Sequence, residues 1–137
     1  MKKKFIVILF LLIMIIVLIA QYSRSLSFTN ILIKNGLEIE GILTIDASTT
    51  MTDPKSDIKL KEGEVKRFIE MLNKFSYKKV INTNGKGWQY SFVLNSMDKH
   101  LVCSITEDRI LISNEEYKIV GIDQDDFKSD YLKFFNR

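Results

Sequence analysis

Every side chain from Phe5 to Ala20 (FIVILFLLIMIIVLIA) is apolar, and beyond that run the chain becomes amphipathic and stays so. An apolar run with no polar face suits a bilayer better than a protein core. At about 1.5 Å per residue, its 16 residues span about 24 Å of a hydrocarbon core about 30 Å thick. That is short for a membrane span and long for the core of a cleaved leader. Lys2, Lys3 and Lys4 before it can snorkel, and Tyr22 after it stands where an interfacial aromatic would. Residues 1–24 therefore predict a signal anchor, and 25–137 a single α+β domain.

Residues 21–27 (QYSRSLS) are small and polar, which predicts a short tether. After it, Ile31-Leu32-Ile33-Lys34 and Leu37-Glu38-Ile39-Glu40 flank Asn35-Gly36. Asn-Gly supplies the two positive φ angles of a type I′ turn, so this stretch predicts a β-hairpin, extended past a bulge through residues 41–45. Residues 46–57 (DASTTMTDPKSD) hold the only proline and predict an exposed loop. Ile58 and Leu60 suit a short strand. Val65, Phe68, Ile69, Leu72 and Phe75 then recur at helical spacing, opposite Lys66, Arg67, Glu70 and Lys74.

From Tyr77 the period changes to two. Strands are predicted over 77–81, 88–94, 100–105, 109–113 and 117–120, and short connections make the last four an antiparallel meander. Alternation puts Trp88, Tyr90, Phe92, Leu94, Leu101, Cys103, Ile105, Ile110, Ile112, Tyr117 and Ile119 on one face, which the amphipathic helix should cover. Asp123, with Asp125 and Asp126 behind it, reads as the N-cap of a closing helix carrying Phe127, Tyr131, Phe134 and Phe135. The expected fold is α+β: a twisted antiparallel sheet of five to seven strands, hairpin plus meander, with one amphipathic helix on a face and a short C-terminal helix.

The other face of the meander is half apolar. Alternation puts Val93, Val102, Leu111 and Val120 on it, which predicts an aliphatic row across four strands. Either the C-terminal helix or the first hairpin lies over that row, or it docks a partner protein of the cell envelope or a second copy of the chain.

Charge changes the picture in two ways. Three lysines precede the apolar run and Arg24 alone closely follows it, which predicts a cytoplasmic amino terminus and a domain outside. Ala20 has Leu18 two residues before it, a poor cleavage site; a cut after Ser25 would instead give a secreted protein. The pI of 8.9 belongs largely to the anchor: from Ser25 onward 16 basic residues meet 17 acidic ones, so no nucleic-acid partner is implied. No cysteine stands directly after the apolar run, which excludes a lipoprotein anchor.

Candidate chemistry is sparse. His100 and Cys103, the single histidine and the single cysteine, stand three apart on a strand and point to opposite faces, so they form no thiolate–imidazole pair. Asn84-Gly85-Lys86-Gly87 lacks the Ser or Thr and the helix of a phosphate loop and reads as a hairpin turn. Asp123, Asp125 and Asp126 lack the glycine and distal glutamate of a calcium loop. No metal, cofactor or catalytic set is expected.

One resemblance emerges from a series of segments: the helix VKRFIEMLNKF, a short basic strand, NGKG, WQYSF and then RILISNEEYKI. Their order resembles a small uncharacterised α+β domain of lipoproteins and membrane-anchored proteins in Gram-positive, low-GC bacteria, over roughly residues 58–135. The resemblance implies an extracytoplasmic module without assigned catalytic residues; this chain departs from it in lacking the lipidated cysteine. The expected function is a non-catalytic protein-binding or envelope accessory module. The alternative is a small-ligand carrier with a pocket between the amphipathic helix and the Trp88, Tyr90, Phe92 row.

Overall fold

The computed structural model describes residues 2–49, 57–81, 87–106, 108–120 and 124–136. Its first element, α1 (Lys2–Ser23), is an unbroken helix of 22 residues, about 33 Å at the α-helical rise. An 18-residue window within Lys3–Ser23 has a mean hydropathy of 3.1, and the helix is long and apolar enough to cross a membrane. None of it is buried against the rest of the chain.

The expected tether is corrected. The helix runs on through Gln21, Tyr22 and Ser23, and Leu26 already belongs to the sheet. The Leu26 N–H donates to the Tyr77 carbonyl at 2.8 Å, and the Tyr77 N–H returns the bond at 2.9 Å. Only Arg24 and Ser25 lie between α1 and the sheet.

The predicted first hairpin is also corrected, because residues 28–34 form a helix, α2 (Phe28–Lys34). Ser27 caps it, its side chain accepting from the Asn30 N–H at 3.2 Å. Phe28, Ile31 and Leu32 fall on one side at i, i+3, i+4 spacing, and all three are buried. Asn35-Gly36 is the helix terminator rather than a hairpin turn. Asn35 has φ −87°, and only Gly36 turns left-handed, at φ +72°. The Gly36 N–H reaches the Ile33 carbonyl at 2.9 Å and the Leu37 N–H the Leu32 carbonyl at 3.0 Å, the two bonds of a Schellman motif. Helical burial of three apolar side chains outweighs the turn preference of two residues. A 3-10 turn at Ile39–Gly41 follows where the second strand was expected.

Seven strands come next: β1 (Thr44–Ser48), β2 (Asp57–Lys61), β3 (Ser76–Lys79), β4 (Tyr90–Asn95), β5 (His100–Ile105), β6 (Arg109–Ile112) and β7 (Glu115–Val120). They form one antiparallel sheet in the order β2-β1-β4-β5-β6-β7-β3. The predicted meander is β4 to β7. Asp46, Ala47 and Ser48, expected in a loop, pair with both β2 and β4, because Ile45 and Ala47 alternate into the core. Most of that loop, residues 50–56, lies outside the described residues.

The amphipathic helix forms as α3 (Gly63–Leu72) and buries Val65, Phe68, Ile69, Met71 and Leu72. The closing helix is α4 (Gln124–Leu132), with Phe127 and Tyr131 buried. Its expected cap, Asp123, lies outside the described residues.

Phe92 on β4 is where the layers meet. Its ring lies 5.1 Å from Phe68 of α3, 6.1 Å from Phe28 of α2 and 6.4 Å from Tyr131 of α4. Three helices thus lie on one face of the sheet. The C-terminal helix was one of two covers expected for the opposite face; it packs here instead, held by the Tyr131 hydroxyl, which donates to the carbonyls of Ser48 and Ser91 at 3.0 Å each.

Candidate functional site

The opposite face of the sheet is left without a helical cover among the described residues. Val102 is 56% exposed there, while Val93, Leu111 and Val120 are half-buried. Register decides how these four stand. Val93 lies directly opposite Val102. Leu111 lies opposite Ser104 on one side and Glu116 on the other, and Val120 opposite Ser76. The expected continuous row is therefore corrected to one direct pair with Leu111 on the diagonal and Val120 displaced beyond it. Only the β4–β5 hairpin sets two of the four directly opposite each other. The β6–β7 connection is tighter, because Ile112 pairs with Glu115 and leaves Ser113-Asn114 as a two-residue turn. Both turn residues have positive φ, 47° and 68°. This is the type I′ geometry that Asn35-Gly36 seemed to announce.

On the same face Glu116 is nearly sealed, at 2% exposure. Its neighbours across the ladders are Leu111 and Val80. Arg109 donates from Nη1 to Glu116 Oε1 at 2.8 Å, and this bond raises the guanidinium pKa further. Oε2 of Glu116 has no hydrogen-bond partner among the described residues. A carboxylate so enclosed depends on its one arginine, since removing either partner of a buried pair strands the other charge.

At the junction of α2, β3 and β7 sits a second charged group, on the helix-covered side. Glu115 accepts from Lys34 Nζ at 2.7 Å, Lys79 Nζ at 2.6 Å and the Tyr117 hydroxyl at 2.6 Å. The hydrogen bonds from Lys34, Lys79 and Tyr117 hold the Glu115 carboxyl down at about 2. Burial, reinforced by Glu115, pushes the Tyr117 phenol up.

The residues singled out for chemistry separate as strand geometry requires. Cys103 is fully buried in the core, where desolvation raises its thiol pKa. His100 is exposed on the other face, with Nδ1 2.7 Å from Asn95 Oδ1. Along the aromatic row, Phe92 is core, Tyr90 is half-buried against Tyr131 at 5.3 Å, and Trp88 precedes β4 and is half-buried. Where a ligand pocket was expected between α3 and this row, Phe68 meets Phe92 edge to face. Asn84, Gly85 and Lys86 lie outside the described residues. Among the described residues no group of three or more His, Cys, Asp or Glu side chains gathers as a metal site would require.

No protein-family model matches the chain, and neither a curated protein nor a solved structure does.

Proposed function

We propose that the protein is a single-pass membrane protein whose amino terminus faces the cytoplasm and whose α+β domain, outside, recognises another envelope protein without catalysis. The observation that carries this reading is the bare face of the sheet, with the Val93–Val102 pair at its centre and all three domain helices on the far side. Val102 is exposed there beside half-buried Val93 and Leu111, and an uncovered aliphatic spot on a sheet suits a docking surface. The anchor supplies the location: α1 is apolar enough to span, and Lys2, Lys3 and Lys4 bias its start toward the cytoplasm. Likeness to the small extracytoplasmic module of Gram-positive, low-GC bacteria belongs to the same proposal.

A photo-crosslinking residue placed at Val102 in intact membranes tests the reading. The expected result is a discrete adduct of higher mass from Val102, and none from Lys128, which is exposed on the helical side. Adducts from both positions, or from neither, defeat recognition through this face. The orientation is checked separately: protease added outside intact cells should remove the domain.

A further inference from the structure

Outside α1, five large hydrophobic side chains are exposed among the described residues, and four of them gather at one end of the sheet. They are Ile33 (59% exposed), Leu43 (55%), Ile81 (74%) and Met97 (91%). They come from four separate segments, so only the fold brings them together. Leu43 bonds to the end of β4 through its N–H and the Asn95 carbonyl, at 2.8 Å. Met97 lies in the adjacent β4–β5 turn, and Lys99 of that turn donates to the carbonyls of Asn35 and Gly36 at the end of α2, which carries Ile33. Lys34 and Lys79 both hold Glu115, which ties the end of α2 to the end of β3, with Ile81 just beyond. A depression of about 520 Å³ opens between Ile33, Leu43 and Met97.

The anchor leaves from this same end. Leu26 pairs antiparallel with Tyr77, so the chain before Leu26 runs alongside Lys79 and beyond, and α1 contacts β3. With Leu26 tied down by two backbone bonds, the domain has no tether on which to swing away from the bilayer. From β3 to the β4–β5 turn is about four strand spacings of about 4.8 Å, a footprint about 19 Å wide. The other end of the sheet bears no exposed large hydrophobic side chain among the described residues.

We propose that this end of the domain seats in the interfacial layer of the same membrane, with Ile33, Leu43, Ile81 and Met97 reaching the acyl–glycerol boundary. The inference rests on α1 being a membrane span. Charge does not drive the seating, because Arg24, Lys34, Lys79 and Lys99 share this end with Glu38, Glu40, Asp98 and Glu115. Apolar transfer does, as for a shallow amphipathic surface. Held this way, the domain stands with its strands steep to the membrane and its bare face turned sideways, toward neighbours in the same bilayer.

The test uses the full chain with one introduced cysteine at a time, Met97→Cys, Leu43→Cys, Gln89→Cys or Ile13→Cys. Each variant is labelled with an environment-sensitive fluorophore and reconstituted in phosphatidylcholine vesicles carrying spin-labelled acyl chains. Native Cys103 is buried, and the labelled wild type sets the background. Seating predicts quenching at 97 and 43 at least threefold above that at Gln89, which is exposed at the far end, and no dependence on added phosphatidylglycerol. Quenching at 13 with none at 97 or 43 overturns the seating while leaving the anchor intact. No quenching at 13 overturns the anchor and the seating together. A fluorophore at 97 that is shielded from water yet unquenched by lipid reports a second protein on this end and overturns the proposal, and so does quenching that requires the anionic lipid.

Discussion

Both faces of the β4–β7 meander carry aliphatic residues, six on the helix-covered side and four on the other, and the two behave in opposite ways. On the helix-covered face Phe92, Leu94, Leu101, Cys103, Ile105, Ile110 and Ile112 are all buried, and rings from three helices close over Phe92. On the bare face Val93 and Leu111 are shaded only by their own neighbours, Val102 stands out in solvent, and the one sealed side chain is a carboxylate. Aliphatic residues on the outward side of a strand do not by themselves make that side core. What decides it is which side the amphipathic helices take, and here all three take the same one.

Phe68→Ala should weaken that contrast most. It removes the ring that touches Phe92, Tyr131 and Phe134 and should cost about 3–5 kcal/mol, read from denaturant unfolding followed by Trp88 emission. Arg109→Met comes next, lowering the denaturant midpoint in the same assay, because it leaves the Glu116 carboxylate enclosed without its donor. That would make the bare face's one large energetic term a polar pair.

Glu115→Gln is smaller, about 1 kcal/mol near neutral pH, since Lys34 and Lys79 are substantially exposed and solvent screens the pairs. Its sign with pH follows from the lowered carboxyl: about 2 in the folded protein against an ordinary 4.5. The contribution is present in full above 4.5 and is lost as the pH falls through about 2, so wild type and variant should converge in stability in strong acid. Val102→Asp should change stability least, by less than about 1 kcal/mol, because its site is already in water. A large loss would mean that the bare face is covered core.

Much of this architecture is legible in the order of residues. The uninterrupted apolar run makes α1, the helical spacing of Val65, Phe68, Ile69 and Leu72 makes α3, and alternation from Tyr90 onward makes the meander with its inward side chains assigned correctly. These are strong periodic signals, each written within one segment. The separation of His100 from Cys103 was equally plain, since residues three apart on a strand cannot share a face.

The candidate face was only half legible. Its residues were named correctly as the outward set, but their pattern was not, because pairing register depends on turn geometry rather than on spacing alone. Ser113-Asn114 forms the two-residue turn although Asn35-Gly36 had the better turn chemistry, and Asn35-Gly36 ends a helix because the burial of Phe28, Ile31 and Leu32 makes that helix.

The amino-acid sequence by itself determined that the chain begins with a long apolar helix, has a single cysteine sealed in the core and forms an antiparallel sheet under an amphipathic helix, since each of these follows from the pattern of neighbouring residues. Only the tertiary structure decided that α2 exists, that Leu26 joins the sheet and leaves no tether, and that every domain helix packs on one side. It also decided that Ile33, Leu43, Ile81 and Met97, scattered across 65 positions, stand at the end of the sheet from which α1 leaves. Such features depend on contacts between distant segments, where the burial of large side chains outweighs local preference, and no short window of residues contains that balance.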